Sequence, residues 1–221
     1  SVASRGLGDV YKRQIFDLDG TLWDSTVPIC ESWNVVLKRH AEIKRPPVTI
    51  NELGECMGLP MYDIAAKLFP LESKEVQTAI MDELCAYENE YLSEHGARLF
   101  DGLENVLSLL SKRYRLFIVS NCQDGYIEAF LKAHRLAKYF DDTECWGRTR
   151  TCKGESNKIL IKRNNLCNPV YAGDTSGDAE SADYAGIPFI YAAYGFGNVS
   201  SDKYIAKIDD IKNLPELMEE L

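Results

Sequence analysis

Two periodicities divide the chain. From Thr26 to His95 the apolar residues recur at helical spacing, with Ile29, Cys30, Trp33, Val36 and Leu37 on one stripe that ends before Pro46-Pro47. A short helix is expected over 62–69, stopped by Pro70. Ser73 is placed to cap a long helix whose stripe is Val76, Ile80, Leu84, Tyr87 and Tyr91, closed by Gly96. No strand-like alternation interrupts this region, which reads as an inserted helical cap. Beyond Gly96 helix and strand patterns alternate. Short apolar runs at 116–119, 169–172 and 187–191 read as buried strands, with Glu144-Cys145-Trp146 as a further strand and 204–208 as an edge. The helices between them fall near 106–110, 127–131, 159–162 and 179–185, with a last one at 214–221. Strands alternating with helices predict an α/β fold, a doubly wound parallel sheet.

The start of the chain departs from this pattern. A buried parallel strand calls for a near-continuous apolar run, yet Tyr11-Lys12-Arg13-Gln14 precedes Ile15-Phe16. Residues 1–13 therefore read as a non-native leader, and the first strand as Ile15-Phe16 alone. The domain division that follows is 14–24 and 97–221 for the α/β core, and 25–96 for the helical cap.

Composition narrows the function classes. The 221 residues carry 25 basic and 34 acidic side chains, a net charge of −9, with no dense run of Lys and Arg. Such a chain repels phosphate backbones, so no nucleic-acid partner is expected. The longest apolar runs are far too short to span a bilayer, so no membrane partner is expected either. Seven cysteines (30, 56, 85, 122, 145, 152 and 167) lie scattered without CxxC spacing. That usage fits reduced thiols and a cytoplasmic location.

The chemistry is concentrated where predicted strands stop. Asp17 and Asp19 are separated by one residue, so on an extended strand both side chains point the same way. Gly20 permits a tight turn, and Thr21 adds a hydroxyl beside the acids. Ser120-Asn121 ends the 116–119 strand and Gly173-Asp174 ends the 169–172 strand. In an open parallel sheet the ligand crevice lies beyond the strands' C-terminal ends, so three strands would deliver Asp17, Ser120 and Asp174 to one place.

Asp17-Leu18-Asp19-Gly20-Thr21 resembles the Asp-x-Asp-x-Thr motif of the haloacid dehalogenase superfamily. Ser120, Lys153 and Gly173-Asp174-Thr175-Ser176-Gly177-Asp178 are similar to its later motifs, in order, over about residues 14 to 221. Lys153 departs from the commoner Lys-Pro, being followed by Gly154; Lys158, Arg148 and Arg150 are alternatives. The resemblance implies a phosphatase with a helical cap, similar to phosphoglycolate phosphatases, acting on a small phosphorylated metabolite with Mg²⁺. It implies Asp17 as nucleophile, Asp19 as general acid/base, and Ser120 and Lys153 as partners of the phosphoryl group. Gly20, Thr21 and Asn121 would contact substrate. Asp17, the Asp19 carbonyl and Asp174 would hold the metal, while Asp178 orients water or Lys153, or caps its helix. An acid at Asp19 disfavours dehalogenation and phosphonate cleavage, whose family members lack it. A β-phosphoglucomutase-like transferase and a non-catalytic binding protein of the same fold are the alternatives. Trp23, Trp33 and Tyr62 are candidates to stack on substrate, or to pack as core.

Overall fold

The structure, a computed structural model, describes residues 12–221; the leader assignment therefore lies outside the described residues over 1–11. The first strand, β1 (Lys12–Phe16), is longer than Ile15-Phe16. It starts within the expected leader, because the backbone of Lys12, Arg13 and Gln14 pairs with a neighbouring strand whatever their side chains. β2 (Trp23–Asp24) follows, then four helices, α1 (Thr26–Leu37), α2 (Ile50–Gly54), α3 (Met61–Leu68) and α4 (Lys74–His95), and then β3 (Arg98–Leu99). The rest alternates: α5 (Leu103–Leu110), β4 (Tyr114–Ser120), α6 (Tyr126–His134), β5 (Asp142–Cys145), α7 (Trp146–Thr149), α8 (Lys153–Arg163), β6 (Pro169–Gly173), α9 (Ser176–Ala185), β7 (Phe189–Ala192), β8 (Ala206–Ile208) and α10 (Leu214–Glu220).

Six strands form one parallel sheet in the order β5-β4-β1-β6-β7-β8. The order reverses at β1, which has β4 on one side and β6 on the other. That reversal opens a crevice beyond its C-terminal end. Alternate residues feed two cores, one with Ile15, Phe117, Val119 and Tyr171, the other with Phe16, Leu116, Ile118 and Ala172. Gln14 is fully buried in β1, and its Oε1 has no hydrogen-bond partner among the described residues.

The helical segment leaves the core through β2 and returns through β3. These two strands pair antiparallel, Trp23 with Leu99 and Asp24 with Arg98. Two residues each are too short for an alternation signal, and the sequence reading has no strand there. Ser73 caps α4 as expected, accepting from the Val76 amide, and Gly96 follows its last residue. The buried face differs from expectation. It runs Ile80, Leu84, Glu88 and Leu92 rather than Val76, Tyr87 and Tyr91. Tyr91 instead donates to Glu31 at the surface, 2.8 Å away. Trp146 begins α7 rather than extending β5. No helix of the described residues is long and apolar enough to cross a membrane.

Candidate active site

The crevice at the β1 switch point is built from strand ends and helix starts. Asp17 follows β1, Ser120 closes β4, and Asp174 follows β6. Lys153 opens α8 and is buried. Its ammonium donates to Asp17 Oδ1 at 2.6 Å and to Asp178 Oδ1 in a shorter contact. Lys158 is exposed over the Tyr184 ring, Arg148 pairs with acids on its own side, and Arg150 lies over Trp146. Of the cations weighed, Lys153 alone meets the acid cluster.

Asp178 sits at the third position of α9 and completes a capping box. Its Oδ2 accepts from the Thr175 amide (2.9 Å), the Thr175 hydroxyl (2.7 Å) and the Asp174 amide (3.1 Å), while its own amide donates back to Thr175. Its Oδ1 takes Lys153 and, at 3.2 Å, the Tyr171 hydroxyl. The capping and Lys-orienting readings of Asp178 therefore describe one side chain with one oxygen for each. Burial opposes its charge, but Lys153 and the Thr175 hydrogen bonds outweigh it and hold the carboxyl below its ordinary value.

Asp174 is also wholly buried. Its Oδ2 accepts from the Phe196 amide at 2.7 Å, and Thr21 Oγ1 lies 3.4 Å from its Oδ1. Gly20 has φ +80°, and a Cβ there would stand 2.2 Å from Asp174 Oδ2. Gly20 and Thr21 thus pack on Asp174, and neither lines the cleft that holds Asp17, Asp19, Ser120, Asn121 and Lys153. Gly195 and Phe196 escaped the sequence reading although they wall Asp174; the closely spaced Gly195 and Gly197 after a strand were the available signal.

The electrostatics are one-sided. Asp17, Asp19, Asp174 and Asp178 face a single ammonium. Burial, reinforced by Asp178, holds Asp17 well above the usual carboxylate range against the pull of Lys153. Burial and Asp178 push Asp174 up to about 7. Carboxylate oxygens of Asp17, Asp174 and Asp178 lie within 4.8 Å of one another. An oxygen-only, charge-deficient cluster fits a hard divalent cation. Both Asp178 oxygens carry two or more donors each, whereas among the described residues Asp17 accepts only from Lys153 and Asp174 Oδ1 meets only Thr21 at 3.4 Å, so Asp17 and Asp174 keep the most capacity to ligate.

Asp19 lines the same cleft through a separate hydrogen-bond network. Its Oδ1 accepts from Ser25 at 2.5 Å and from Tyr126 at 2.8 Å, and burial raises its carboxyl despite those bonds. Ser25, directly before α1, makes no cap hydrogen bond and serves Asp19 instead. The helical segment closes the cleft from above. Asn121 donates to the Gly58 carbonyl at 3.0 Å, and Trp33 Nε1 donates to Glu88, which also lines the cleft. Trp23 is core, edge-on to Tyr126 and Phe130, and Tyr62 is exposed against Trp146.

Known proteins share this plan. Residues 14–192 match the family model described as haloacid dehalogenase-like hydrolase. A plasmid-encoded phosphoglycolate phosphatase of Cupriavidus necator is 23% identical over 214 residues, covering 92% of this chain and 91% of that protein. A phosphoglycolate phosphatase of Xylella fastidiosa is 26% identical, covering 92% and 90%. A haloacid dehalogenase-like hydrolase structure from Streptococcus pneumoniae superposes with a TM-score of 0.79 at 20% identity, covering 95% of this chain and 99% of that one. With the acid cluster and switch-point crevice in place, the match over most of its length shows that the chain belongs to the haloacid dehalogenase-like hydrolase family.

Proposed function

We propose that the protein hydrolyses a small phosphomonoester through an aspartyl-phosphate on Asp17. The observation that carries this reading is Lys153 clamped between Asp17 and Asp178, with Asp19 facing the same cleft from a separate hydrogen-bond network. An Asp17 oxygen attacks phosphorus, and the bond to the leaving oxygen breaks as Asp19 supplies its proton. Asp19, now ionised, takes a proton from water; the hydroxide attacks phosphorus, the aspartyl bond breaks, and orthophosphate leaves with Asp17 regenerated. Ser120 and the Lys153 ammonium offset charge on the phosphoryl oxygens. Asp17, Asp174 and the Asp19 carbonyl would hold Mg²⁺, which supplies further charge compensation. Gly20 and Thr21 fix Asp174 rather than touch substrate.

The helical unit over 25–96 acts as the cap, excluding water and setting specificity. Residues 14–24 and 97–221 form the catalytic core. The cavity between them, phosphoryl end included, is small, about 50 Å³, room for a few water-sized groups. That favours a small metabolite over a nucleotide. Seven cysteines free of disulfides suit a reducing cytoplasm.

The test is orthophosphate release from a panel of phosphomonoesters with Mg²⁺ and with EDTA. Stoichiometric release that needs Mg²⁺ is expected. Isomerisation of a sugar phosphate without release would instead make the protein a transferase.

A further inference from the structure

The cleft contains one acid that the proposed chemistry does not use. Glu88, from the middle of α4, is 2% exposed and lines the cleft together with Asp19 and Tyr126. Its Oε2 accepts from Trp33 Nε1, and its Oε1 accepts from Gln123 Nε2 at 2.8 Å. Both partners are donors. Each Glu88 oxygen therefore keeps a lone pair to offer. Burial pushes this carboxyl up to about 8, with the nearby Asp19 charge adding to the effect.

The rest of the cleft offers nothing positive at this end. Among the described residues Lys153 is its one cationic side chain, and two of its three protons are committed to Asp17 and Asp178. The amide of Gln123 is spent on Glu88 and, at 3.1 Å, on Asn89; that of Asn121 reaches Gly58. Arg150, lying against Trp146, lines a separate surface groove. A second carboxylate carried in by a substrate would be desolvated here without a cation, which costs several kcal/mol. An ionised Glu88 would repel it, and a neutral one could return only a single O–H.

Resting on the proposed phosphatase reading, we infer that the substrate's alcohol portion carries no carboxylate and presents a hydrogen-bond donor, a hydroxyl or an ammonium, to Glu88. Glu88 is then the group that determines specificity on the leaving-group side. This separates the chain from the activity named for its phosphoglycolate phosphatase relatives, despite their similarity over most of its length.

Three esters of nearly equal size test it: phosphoglycolate, 2-hydroxyethyl phosphate and 2-aminoethyl phosphate. With Mg²⁺, kcat/KM for the better of the last two should exceed that for phosphoglycolate by about tenfold or more. Glu88→Gln should narrow that gap. Equal or better turnover of phosphoglycolate by the unmodified protein overturns the inference while leaving the phosphatase reading intact. If no ester is turned over, the phosphatase reading fails, and thermal stabilisation of the unmodified protein by the same three esters decides the specificity. Greater stabilisation by the hydroxyl or amino ester supports it. Greater stabilisation by phosphoglycolate, or none by any ester, overturns it.

Discussion

Lys153 holds two carboxylates that would otherwise repel each other inside the protein. Asp17, Lys153 and Asp178 are all at least nine-tenths buried, so water screens none of their charges. Breaking such a cluster leaves uncompensated buried charge, at a cost of roughly 3–5 kcal/mol. Lys153→Met should lower the free energy of unfolding in denaturant by that order, and an unchanged midpoint would contradict the clamp. Gly20 is constrained twice over, by φ +80° and by the 2.2 Å approach to Asp174 Oδ2. Gly20→Ala should weaken Mg²⁺ binding, read by metal titration, because Asp174 must move. Glu88 has a pH signature. Its folded value near 8 lies above the ordinary 4.5, so the folded state keeps the proton longer. The associated stability is present below pH 4.5 and lost as pH rises towards 8, at ~1.4 kcal/mol per pKa unit at most. Unfolding from pH 5 to 9 should therefore show the unmodified protein losing stability relative to Glu88→Gln. Parallel curves would contradict it.

At the scale of elements, β1 carries the proposed nucleophile on an imperfect strand. Gln14 is buried at its centre with an amide oxygen unpaired, a penalty of about 1–3 kcal/mol. Gln14→Val should raise the thermal midpoint, as its apolar strand neighbours Leu116 and Val170 suggest. The parallel strands and the acids at their ends were legible, because buried strands announce themselves as apolar runs and the polar residues after them stand out. β2 and β3 were not, being two residues each. The buried face of α4 departs from the apolar stripe for a reason with functional weight. Glu88 occupies the core phase of the helix between Leu84 and Leu92, so polarity hid a cleft residue that spacing alone would have placed inside. Tyr126 leaves no local pattern as a partner of Asp19, being 107 residues away, and Ser25, six residues on, has no regular spacing to mark it.

Across the whole molecule, two layers meet at one small cavity. The sheet delivers Asp17, Ser120 and Asp174 through its topology, and the helical unit closes over them through Gly58 and Glu88. The division of labour proposed here, chemistry below and selection above, makes the layers separately testable. Changes at Glu88 should alter which ester is preferred, whereas changes at Asp17 should abolish turnover of every ester. The most direct measurement is an acid-quenched reaction with Mg²⁺ and the best ester, followed by mass spectrometry of the peptide containing Asp17. One phosphoryl group on Asp17 is predicted, absent in Asp17→Asn, with turnover of that variant reduced on the order of 10⁴-fold or more. Undiminished phosphate release by Asp17→Asn, or a phosphoryl group on another residue, would contradict the account.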